Sequence, residues 1–79
     1  MKPDPDKVDE TVIALLYLGS FESAGVTRAW KGHDWDALNR LYESGLISNP
    51  KGKAKSVVFT NEGKLKAKRA CEKLFGGTV

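Results

Sequence analysis

The apolar positions of this chain change period along its length. Val8, Val12, Leu15 and Leu16 recur at the three- and four-residue spacing of a helix, and Ile13 and Tyr17 widen the stripe. A helix apolar over so much of its circumference is covered on several sides. Its start is expected near Asp4 or Asp6, where a carboxylate caps free amides and Pro5 suits the first helical position. Asp9 and Glu10 then lie near the positive end of the helix dipole. Gly19 to Gly25 reads as a helix end and loop, and Val26 to Lys31 as a short second helix stopped at Gly32. Asp34 is a cap for a third helix running to about Ser44, with Leu38, Leu41 and Tyr42 inward and Trp35 in its first turn. Gly45 suits the left-handed position just past a helix, and Leu46 can fold back onto Leu41.

From Leu46 the pattern shortens to that of strands. Leu46-Ile47-Ser48 and Lys55 to Phe59 flank the turn residues Asn49-Pro50-Lys51-Gly52, and Val57 and Phe59 share a face. Residues 46–59 are therefore expected to form a two-stranded hairpin packed on the helices, since an isolated hairpin is marginal in water. Thr60 caps a last helix to about Phe75, with Gly63, Ala67, Ala70, Cys71 and Leu74 on one line. Lys64, Lys66, Lys68, Arg69 and Lys73 occupy its outer face. Leu15, Leu16, Leu38, Leu41, Ile47, Val57 and Leu74 are the expected core. The order of elements predicts an α+β, mainly α winged helix: a helix-turn-helix, a two-stranded β-hairpin wing and a C-terminal helix. One domain is expected over residues 1–79, with loose ends at 1–5 and 76–79.

The run Leu38-x-x-Leu41-x-x-x-Gly45-Leu46-Ile47, a basic turn, then Val57-Val58-Phe59-Thr60-x-Glu62-Gly63 resembles the MarR- and PadR-type regulators. In those regulators a recognition helix ends in such a run and the wing returns into a Leu-Thr-x-x-Gly helix start; here Phe59 stands where Leu is usual. The resemblance covers residues 38–63 and implies a winged-helix core. The whole chain is similar to a small bacterial family defined only as a domain of unknown function. That similarity is carried by Ala14-Leu15-Leu16-Tyr17-Leu18, by Arg28-Ala29-Trp30-Lys31-Gly32-His33-Asp34-Trp35-Asp36 and by Lys53-Ala54-Lys55-Ser56-Val57-Val58. It implies no activity.

Composition narrows the function classes. At 79 residues the chain suits one domain. Its start lacks the apolar core of a signal peptide, and its longest apolar run, Val12 to Leu18, falls short of the roughly 20 residues of a membrane span. A cytoplasmic protein is expected. One Cys and one His allow neither an intrachain disulfide nor a zinc site of four ligands. No Gly-rich phosphate loop is present, so no cofactor is expected. His33 beside Asp34 and Asp36 has no nucleophile or metal set with it, so no enzyme is expected. The formal charge of +3 hides a split: residues 1–50 carry five basic and eight acidic side chains, and residues 51–79 carry eight basic and two acidic. One end therefore suits an anionic partner.

Two binding readings follow. In the first, a DNA-binding protein, the wing residues Lys51, Lys53 and Lys55 contact phosphate, and Asn39 and Arg40 on the third helix face the groove. Asp34, Asp36 and Glu43 oppose that reading, and lysines on a hairpin also serve to protect a sheet edge. In the second, a protein–protein interaction module, Arg28, Trp30 and Trp35 form the contact surface, because Trp and Arg are enriched in binding hot spots. Large aromatic rings are usually core, which is the expectation for Trp30 and Trp35, and their exposure separates the readings: buried rings favour duplex DNA, and an exposed pair favours a protein partner. A homodimer through the Ala67, Ala70, Cys71 and Leu74 line is a further expectation.

Overall fold

Helix Pro5–Leu18 (α1) begins where the carboxylate of Asp4 accepts a hydrogen bond from the Asp6 amide at 3.0 Å, with Pro5 in the first turn. The computed structural model describes residues 1–76; most of the expected loose C-terminal end, residues 77–79, lies outside the described residues. After Gly19 the chain forms strand Phe21–Ser23 (β1), turns through Ala24 and Gly25, and returns as strand Val26–Trp30 (β2). Both turn residues have positive φ, 52° and 81°, the backbone that closes a tight two-residue hairpin. Helix Trp35–Glu43 (α2), strand Ser56–Val58 (β3) and helix Asn61–Phe75 (α3) complete the order.

The fold is α+β and mainly helical, and its order of helices and strands is compatible with a winged-helix-like architecture. Two expectations are corrected. Residues 26–31 are not a second helix: Val26–Trp30 is β2, which pairs antiparallel with β1 and with β3 in a three-stranded sheet, order β1-β2-β3. The segment is too short for two helical turns. It alternates Thr27 and Ala29 inward with Val26, Arg28 and Trp30 outward, and Val, Thr and Trp suit a pleated surface. No helix-turn-helix therefore precedes α2. The wing is also reduced. Residues 46–59 do fold back antiparallel, but through one bridge, Ile47 to Phe59, and a bond from the Ser48 amide to the Val58 carbonyl at 2.8 Å. The main partner of β3 is β2.

Both ends of α2 follow from its sequence. Asp34 accepts from the Ala37 amide at 3.0 Å. At the other end Gly45 takes φ 76°, its amide bonding the Tyr42 carbonyl, while the Leu46 amide bonds the Leu41 carbonyl. This is the pair of bonds that closes a Schellman cap. The cap turns Leu46 and Ile47 into the core, which also contains Ile13, Leu16, Leu38, Leu41, Val57 and Ala67. Leu15 and Leu74 do not join it. They are 38% and 40% exposed, on the solvent side of α1 and near the end of α3. No helix among the described residues is long and apolar enough to cross a membrane.

Candidate functional site

The two halves of the expected DNA-reading surface differ in their freedom. Arg40 is occupied. Its Nε donates to both Asp9 oxygens at 2.8 and 3.0 Å, and its Nη2 donates to Asp9 Oδ1 at 2.8 Å. The guanidinium thus ties α2 to α1, and its pKa is raised further by the Asp9 hydrogen bonds and by the negative charge of Asp9, Asp34 and Asp36. A forked ion pair of this kind is among the stronger polar contacts. Arg40 cannot read a base edge without breaking it. Asn39 beside it is half-buried.

Lys51, Lys53 and Lys55 are exposed. The turn that carries them is held by its own side chains and by β2. Asn49 accepts from the Lys51 amide at 2.9 Å, and Pro50 is buried. Lys31, just past β2, donates through Nζ to the carbonyls of Pro50 and Gly52, both at 2.7 Å, and its amide bonds the Lys55 carbonyl at 3.2 Å. The Lys31 ammonium also lies 5.8 Å from the centre of the Trp35 ring, within cation–π range. The basic turn is thereby fixed beside the Trp30 end of β2. Nothing in the residue pattern marked Lys31 for this role; it appears once residues 26–30 are a strand whose end meets the turn.

The sheet has one buried and one open face. Thr27, Ala29 and Val57 face the helices. Thr27 is the buried polar member, and its hydroxyl donates to Glu22 at 2.6 Å. That bond, with the nearby Lys64 ammonium, lowers the Glu22 pKa. On the open face the register sets Phe21 beside Arg28 and Arg28 beside Val58, with Trp30 beside Ser56. Phe21 and Trp30 are diagonal neighbours whose ring centres lie 5.0 Å apart at 36°. Trp30 is 60% exposed and Trp35 53%. The expectation that these rings are core is therefore overturned: Trp30 lies on the open sheet face with Arg28, and Trp35 lies beside the Lys31 ammonium at the start of α2.

The other candidates come out as follows. The groove between α1 and α3 is lined by Asp9, Glu10, Ile13, Leu41, Arg69 and Lys73, but Asp9 is paired with Arg40 and Glu10 with Lys73. Ala67 and Ala70 are buried in the chain's own core, which leaves only Cys71 and Leu74 of the expected dimer line partly accessible. No group of three or more His, Cys, Asp or Glu side chains among the described residues could hold a metal ion.

Comparison with known proteins places the chain in a family. Residues 4–77 match the family described as Domain of unknown function (DUF6429), and the chain belongs to it. It is also similar to a protein of Sinorhizobium fredii, strain NBRC 101917 / NGR234, described as Uncharacterized protein y4hR. The two are 43% identical over 75 residues, which cover 95% of this chain and 97% of that protein. No solved structure matches the chain.

Proposed function

We propose that this member of the family is a non-catalytic protein–protein interaction module whose working surface is the open sheet face around Trp30, extended to Trp35. The observation that carries this reading is the exposure of both indoles, with Trp30 set against Phe21 beside Arg28 on the open face of the sheet, while Ile13, Leu16, Leu38, Leu41, Ile47 and Val57 fill the core. Large aromatic rings left in water are unfavourable unless a partner covers them, and Trp with a neighbouring Arg is the usual composition of an interface hot spot. Arg28 stands on the same face. Asn39 and Arg40 are poor groove readers by contrast, one half-buried and the other committed to Asp9.

The exposed wing lysines support a second reading, contact with the phosphates of duplex DNA. Site-directed photo-cross-linking in the source bacterium separates the two. A photoreactive phenylalanine analogue at position 30 is expected to form protein adducts, and the same analogue at position 39 none. Adducts to DNA, or protein adducts from position 39 alone, would overturn the interaction reading.

A further inference from the structure

We infer that the partner segment laid on this face is acidic and extended, with an apolar side chain anchored against Trp30. The inference rests on the interaction reading above and names the chemistry of its ligand. The first ground is Arg28. Arg28 is half-buried on the open face, and its Nη1 donates to the Ser56 hydroxyl at 3.3 Å. Among the described residues no carboxylate lies within ion-pair distance of it, whereas Arg40 is forked onto Asp9. A guanidinium with unused donors is completed best by a carboxylate, which it can engage through two parallel bonds.

The second ground is the charge of the surroundings. On the open face Arg28 stands among Phe21, Val26, Trp30, Ser56 and Val58 with no carboxylate beside it, while Glu22 lies on the Thr27 side of the sheet and is engaged with Thr27 and Lys64. The surface is therefore complementary to a negative segment. The third ground is fixed geometry. Phe21 backs one side of the Trp30 ring, and Lys31 pins the turn through two carbonyls, so little ordering is left to offset on binding. An extended segment of about five residues matches the length of β2.

A single-stranded nucleic acid is also anionic and planar in part. The observations favour a peptide over it. The Phe21 and Trp30 planes are inclined by 36° rather than offering parallel free faces on which successive bases would stack.

The test is display selection of random peptides of roughly 12 residues on the whole domain, a length that spans the face with room to spare. Selected peptides are expected to carry Asp or Glu flanking an apolar residue. Their binding should weaken as salt rises and fall about tenfold or more in Arg28→Gln, as for loss of a charge-assisted contact. Trp30→Ala should abolish it, Trp30→Phe should restore part, and circular dichroism should show all three variants folded. If peptides bind through Trp30 without acidic bias, or Arg28→Gln binds as well as the parent, the acidic chemistry is wrong while the interaction reading stands. If no peptide is enriched over the Trp30→Ala domain, both fall. Tighter binding of single-stranded oligothymidine, lost in Trp30→Ala, would overturn both in favour of nucleic acid.

Discussion

Gly63 shows how one residue fixes the junction between the wing and the last helix. Thr60 caps α3 by accepting from the Gly63 amide at 2.9 Å, and its hydroxyl donates to the Gly45 carbonyl at 2.7 Å. The Thr60 amide bonds the Leu46 carbonyl at 3.0 Å. The first turn of α3 thus sits directly on the cap that ends α2, and a Cβ at Gly63 would collide with the Leu46 carbonyl oxygen. The Thr-x-x-Gly pattern is here a matter of space and capping rather than of DNA contact. Gly63→Ala is expected to cost on the order of 1–3 kcal/mol, the usual penalty of overpacking, although Ala is the better helix former. Urea denaturation checks it: an unchanged midpoint would show that α3 does not approach Leu46 so closely.

Among the elements, the β1–β2 hairpin is the one with the least favourable turn. Ala24 holds φ 52°, where a Cβ costs roughly 1–2 kcal/mol, and the preferred residue at that turn position is Asn. Ala24→Asn should therefore stabilise the domain by about 0.5–1 kcal/mol, seen as a higher thermal midpoint; a lower midpoint would contradict the assigned turn. The same Ala explains why the hairpin was not legible in the sequence. An Asn-Gly pair would have announced a turn, whereas Ala24-Gly25 after Gly19 reads as loop. The three helices were legible because each carries its own start signal, Asp4, Asp34 or Thr60, and α2 carries Gly45 at its end. Trp30 and Trp35 were misread for a different reason. Hydrophobic content says that a ring prefers burial, but only the strand's parity shows which side it takes. Small Thr27 and Ala29 fill the inward positions of β2 and leave Trp30 outside. Arg40 fits a groove reader by chemistry, and only the packing of α2 on α1 reveals that Asp9 already holds it.

At the scale of the molecule, one core joins the three helices to the inner face of the sheet, and the surface divides into a paired side and an unpaired one. Leu41 is buried in that core, while Leu74 is 40% exposed. Leu41→Ala should cost about 2–5 kcal/mol, a large share of a small domain's stability, and Leu74→Ala less than about 1 kcal/mol. Equal costs in denaturant titrations would show that the core is not bounded as described. On the surface, the α1–α2 and α1–α3 contacts use their charges internally through Arg40–Asp9 and Lys73–Glu10. Arg28, Trp30, Trp35 and the wing lysines are among the side chains left outside these pairs, as are Lys66, Lys68 and Arg69 on the outer face of α3. The central claim is that the surface around Trp30 serves a protein contact and not the reading of duplex DNA. It is tested most directly by titrating labelled generic duplex DNA with the domain at about 0.15 M salt, where non-specific DNA binders have Kd values of roughly 10⁻⁴–10⁻⁶ M. The account predicts no saturable binding up to about 100 μM protein. Saturable binding would contradict it if the salt slope fell by about 2–3 units on changing Lys51, Lys53 and Lys55 to Ala, and if sequence preference were lost in Asn39→Ala.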